Sequence, residues 1–160
     1  MKVLSVENAL NRAAALCSRS EQAEGDIRNK LASWGLSHAD ADYVIGRLIE
    51  GNFIDENRYA HAFVHDKLAY NGWGRVKIAY QLKLKGISSV AIAEAMEQID
   101  ETQYRNTLER LLRAKWREVS GRELQHARAA MLRFGASRGF EPSMLYDMVD
   151  AVIDYHETED

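Results

Sequence analysis

The chain has 160 residues, 46% of them hydrophobic, with a formal net charge of −3 and one proline. That length suits one domain or a few small modules, and the near-neutral balance makes no global demand for an anionic partner. The single cysteine, Cys17, excludes an internal disulfide and a cysteine zinc cluster, so a reducing cytoplasm is the expected location.

The first stretch, "MKVLSVENALNRAAALC", is interrupted by Glu7, Asn8, Asn11 and Arg12. It lacks the continuous apolar core of a signal peptide, and no segment approaches the ~20 apolar residues of a membrane span. Apolar periodicity predicts helices near 5–17, 23–34 and 38–50. A second set follows near 56–70, 74–85 and 89–98, and a third near 101–118, 121–137 and 142–154. No strand pattern competes, so the expected fold class is all-α. The tail "YHETED" reads as disordered.

Glycines mark the helix stops. Gly35, Gly86 and Gly139 each follow a helical pattern, and each precedes one apolar residue: Leu36, Ile87 or Phe140. Helix-start signals come next, at Ser37, Ser88 and the pair Glu141–Pro142. Aligned on these glycines, "IRNKLASWGLS", "IAYQLKLKGIS" and "RAAMLRFGASRGFE" form a degenerate repeat of about fifty residues. Ile27 and Ile78 match, as do Leu31 and Leu82, while the third unit has Gly135 at the leucine position. The expected organisation is three tandem three-helix repeats, 1–51, 52–99 and 100–154, with an acidic disordered tail at 155–160. Units this small bury little alone, so an elongated, curved array is expected.

Charge alternates along the chain. Residues 58–85 carry +5 and residues 105–138 carry +6, while residues 139–160 carry −7. Within "ETQYRNTLERLLRAKWREV", Tyr104, Leu108, Leu111, Leu112, Trp116 and Val119 share one helical face. At ~100° per residue, Arg110, Arg113 and Arg117 fall on the opposite face. Two readings stand: a solvated surface, or a grip for a polyanion or acidic protein.

Catalytic signatures are missing from the sequence. "NGWGRVK" has Gly72 and Gly74 but neither the third glycine of a dinucleotide fingerprint nor Gly-Lys-Ser/Thr. It reads as a turn between helices, with Asn71 and Gly72 able to take left-handed dihedrals and Trp73 folding back on the core. His61 and His65 stand four apart, but Ala62 occupies the place of a zinc protease's glutamate. Tyr59, Phe63, Tyr70 and Trp73 fit either core positions or base stacking. The acidic tail lacks the glycine-containing geometry of a calcium loop. No catalytic group, metal, cofactor or small-molecule substrate is expected.

The stretch Gly51–Ser88 resembles the RecX family of bacterial recombination regulators. It has Gly51, Phe53, Ile54, Asp55, Glu56, Arg58, Tyr59 and Ala60, then Gly72-Trp73-Gly74, Lys77-Ile78, Leu82 and Lys85-Gly86-Ile87. "RFGASRGF" resembles the family's closing motif, with Gly135 replacing a leucine. Asp26-Ile27 and Lys30-Leu31 also match, although Ala23 stands where a capping serine is usual. The resemblance implies tandem three-helix repeats, no enzymatic activity, and binding to RecA filaments on single-stranded DNA. The usual outcome in the family is restraint of filament growth, ATP hydrolysis and strand exchange. Candidate contacts with RecA, or with single- or double-stranded DNA, are Arg58, Arg75, Lys77, Lys83, Lys85, Arg110, Arg113 and Arg117. The alternative is a stand-alone helical DNA-binding protein, which the negative net charge disfavours.

Overall fold

The computed structural model describes residues 4–159. The helices are α1 (Val6–Arg19), α2 (Glu24–Ser33), α3 (His38–Glu50), α4 (Glu56–Asp66), α5 (Arg75–Leu84), α6 (Ser89–Glu97), α7 (Glu101–Val119), α8 (Leu124–Ser137) and α9 (Pro142–Glu159). Among the described residues there is no strand, and a π-helical turn, Lys67–Asn71, extends α4. No helix among them is long and apolar enough to cross a membrane.

Three helix ends share one stereochemistry. Gly35, Gly86 and Gly139 have φ of 88°, 80° and 89°. After each, the next amide reaches back to the last turn: Leu36 to the Leu31 carbonyl, Ile87 to that of Leu82 and Phe140 to that of Gly135, each at 3.1 Å. These are Schellman closures, in which only glycine takes the left-handed position without steric cost. Ser5, Ser37 and Asp100 cap α1, α3 and α7 by accepting from amides three residues on. Ala23 offers α2 no such bond.

The chain divides into two compact units, Met1–Phe63 with Leu82–Ala95, and Val64–Gln81 with Met96–Asp160. The boundary passes through α4, α5 and α6, so each of these helices contributes to both units. In the first unit, α1, α2 and α3 enclose Ile27, Leu31, Val44, Ile45 and Leu48. Each such side chain stabilises the fold by about 1.5–3 kcal/mol through burial. In the second, α7, α8 and α9 pack around Tyr104, Leu108, Leu112, Met131, Val149 and Val152. Gly135 has a definite role there, because a Cβ at that position would strike the Leu145 side chain. Its place in the repeat needs the absence of a side chain, so that α8 and α9 can approach closely.

Three local expectations need correction. Asn71 does not adopt a left-handed conformation; Gly72 does, at φ 63°, and among the described residues Asn52 is the non-glycine residue that does so, at φ 60°. The eighth helix starts at Leu124 rather than near residue 121, because the backbone of Glu123 is non-helical, with ψ 139°. The acidic end is helical rather than irregular, since α9 continues to Glu159. Buried Val152 and Ile153 anchor it, and His156 stacks on Trp116 with ring centroids 6.0 Å apart.

Candidate partner-binding surface

The Gly72-Trp73-Gly74 turn organises the second unit. The Gly72 amide closes the π-helical turn by donating to the Lys67 carbonyl, the Trp73 amide donates to the same carbonyl at 3.0 Å, and the left-handed conformation of Gly72 redirects the chain. Gly74 N–H donates to the Arg138 carbonyl at 2.6 Å, and Val76 N–H to that of Gly139 at 2.9 Å. A Cβ on Gly74 would collide with the Gly139 carbonyl group, and one on Gly139 would collide with Lys77. The two glycines therefore let two backbones touch. Arg138 strengthens the junction by donating to the Asn71 carbonyl at 2.8 Å. The turn thus joins the start of α5 to the end of α8, a contact that reading it as a local bend does not anticipate.

Arg75 lies beside this junction. Its amide donates to the Tyr104 hydroxyl at 2.9 Å, and its guanidinium donates to Glu141 at 2.9 Å and to Glu101. The guanidinium also lies over the Tyr104 ring, 4.0 Å from the centroid. The Tyr104 hydroxyl donates to Glu141 in turn. Burial, aided by that bond, pushes the phenol well above its ordinary range. The bond from Arg75 holds the Glu101 carboxyl below the usual carboxylate range. This is a closed polar network whose groups partner one another.

The other candidate cations divide into three groups. Arg58 and Lys85 are internal fasteners in the first unit. Arg58 donates to Glu21 and to the Asn52 carbonyl, each at 2.8 Å, while Lys85 bridges Asp26 at 3.0 Å. Those bonds to acids raise the pKa of both cations. Lys77 and Arg113 are half-committed. Lys77 lies 4.4 Å from the Trp73 ring centroid, with Lys67 at 4.8 Å from the same centroid. Arg113 is half-buried, pairs with Glu109 at 3.2 Å and covers the Tyr155 ring at 4.4 Å. It therefore corrects the expected row of three solvent-facing arginines, because the end of α9 packs over it. Lys83, Arg110 and Arg117 are exposed.

The aromatic set does not act as one. Tyr59 and Phe63 are half-buried with centroids 5.9 Å apart, and Trp73 is half-buried, whereas Tyr70 is 79% exposed. Among the described residues no three His, Cys, Asp or Glu side chains are placed to hold a metal ion. Burial and the charge of Glu21 push the Cys17 thiol up, disfavouring the thiolate a nucleophile needs.

Helical spacing alone did not reveal the Arg75–Glu101–Glu141–Tyr104 network or the pairing of Lys67 with Trp73. It also missed an exposed apolar row on α5, formed by Val76, Tyr80 and Leu84. The available signal was the composition of "RVKIAYQLKL", whose apolar residues occupy both sides of a helix.

Tandem three-helix units closed by left-handed glycines define an all-helical repeat protein. The pattern of the first three-helix domain of RecX matches residues 9–48, and that of the second matches residues 55–96. The chain is 30% identical to the regulatory protein RecX of Clostridium botulinum (strain Eklund 17B / Type B), over 97% of this chain and 75% of that protein. It is 29% identical to the regulatory protein RecX of Mycobacterium sp. (strain JLS), over 91% and 84%. The chain belongs to the RecX family of regulatory proteins. Its fold is shared with the crystal structure of RecX from Lactobacillus salivarius, at TM-score 0.77, 18% identity and coverage of 96% of this chain and 97% of that one.

Proposed function

We infer that this protein is a cytoplasmic regulator that binds RecA and RecA–single-stranded DNA filaments and restrains their ATPase and strand exchange. Membership of the RecX family, with the Gly51–Ser88 signature in place, carries this reading. Regulation of this kind needs no catalytic group, metal or small-molecule substrate. Three repeats, 1–51, 52–99 and 100–154, each supply modest binding, and their linkage multiplies it through effective concentration. A bound molecule restrains the filament by blocking subunit addition, or by binding the less active state of neighbouring subunits more tightly.

The exposed cations Lys83, Arg110 and Arg117 suit acidic protein surface or DNA phosphate, and both occur in such a filament. The test is a titration of this protein into RecA on single-stranded DNA, reading ATP hydrolysis. A fall in rate at substoichiometric protein is expected. An unchanged rate and unchanged strand exchange would overturn the reading. Tight binding to bare DNA without any effect on RecA would replace it with a stand-alone DNA-binding protein.

A further inference from the structure

Helix α5 buries Ile78 and Leu82, yet Val76, Tyr80 and Leu84 are 53%, 60% and 63% exposed. They stand at i, i+4 and i+8 on one uninterrupted helix, so helical geometry alone sets them in a row about 12 Å long. Exposed Lys83 lies on the same side, and Lys77 flanks the row. The helix has no acidic residue, and residues 58–85, which include it, carry +5. Scattered exposed apolar residues need no explanation, but an aligned row does.

We propose that the Val76–Tyr80–Leu84 row is a docking ridge for an amphipathic helix of a RecA subunit, one that presents apolar side chains flanked by Asp or Glu. This rests on the reading of the chain as a RecA regulator. The spacing selects a helical partner, because i±4 ridges pack into the grooves of another helix. The charge selects an acidic one, because Lys83 and Lys77 have no carboxylate on their own helix to satisfy them. Nucleic acid fits less well. Valine and leucine offer nothing to phosphate, and Tyr80 is the row's one base-stacking side chain.

The test compares the wild-type chain with the double substitution Tyr80→Ser/Leu84→Ser and with Lys83→Glu. Three measurements are made: binding to preformed RecA–single-stranded DNA filaments, binding to bare single-stranded DNA, and sedimentation of the chain alone across concentrations. Circular dichroism monitors folding. The expected result is about tenfold or greater weakening on filaments for the double variant, and a smaller loss for Lys83→Glu. Bare-DNA affinity and self-association should not change. Filament affinity equal to wild type in both variants would overturn the ridge while leaving the regulator reading intact. Parallel loss of bare-DNA binding would reassign the row to nucleic acid. Loss of a wild-type self-association would reassign it to a second copy of the chain. Wild-type protein that fails to bind filaments at all would overturn the regulator reading and the ridge with it. Should the double variant misfold, Lys83→Glu carries the test, because its side chain is solvent-exposed.

Discussion

The Gly74 amide donates to the Arg138 carbonyl at 2.6 Å, and the Val76 amide donates to the Gly139 carbonyl at 2.9 Å in the same junction. Main chain meets main chain here, so side-chain volume at either glycine is excluded. Gly74→Ala and Gly139→Ala should each destabilise the protein by roughly 1–3 kcal/mol, as overpacking does. Gly139 adds the strain of its φ of 89°. Urea unfolding measures both. Wild-type midpoints would mean that the backbones separate at little cost.

Tyr104 links burial to pH. Its folded-state pKa is raised above the ordinary 10.0, chiefly by burial. The unfolded chain therefore releases this proton first, and stability falls as pH rises past about 10. Tyr104→Phe should flatten that alkaline fall. It should also cost about 1–2 kcal/mol at neutral pH, because the Arg75 amide and Glu141 lose a partner. Thermal unfolding from pH 8 to 11 checks both. An equally steep alkaline loss in the variant would exclude Tyr104 as its source.

Arg110 and Arg117 are the exposed arginines of α7, and Arg113 is half-buried between them in sequence. Arg110→Glu/Arg117→Glu should leave folding intact, because exposed charges contribute little stability. If both touch phosphate in the filament, the slope of log affinity against log salt should fall by about 2. Binding titrations at several salt concentrations measure it, and an unchanged slope removes both residues from the phosphate contacts. Arg113→Glu should instead lower the melting temperature, because it puts a carboxylate beside Glu109 and beneath Tyr155.

Leu111 is half-buried and packs against Gly72, whose added Cβ would lie 3.2 Å from Leu111 Cδ1. Leu111→Ala should cost about 2 kcal/mol, the low end for a leucine truncation because the site is not sealed from water. Chemical denaturation checks it. A loss below about 0.5 kcal/mol would mean that the second unit closes over the gap.

Much of this protein is decided locally and is legible in its sequence. Helix type follows from apolar period, and helix ends follow from Gly35, Gly86 and Gly139, whose left-handed φ is a property of the residue itself. Ser37 caps its helix because its hydroxyl reaches an amide three residues away. The family motif is likewise a matter of residue order.

Other features required the chain to be folded. Arg58, Arg75 and Lys85 look alike in sequence as cations of a basic block, yet each ends on a carboxylate far away in the chain: Glu21, Glu141 and Asp26 respectively. No local period encodes those distances. The same holds for Arg113, which a helical wheel turns outward until α9 covers it, and for Val76, Tyr80 and Leu84, which the wheel cannot tell from core. Periodicity says which side chains share a face. Only packing decides which of those faces meets another helix and which stays in water.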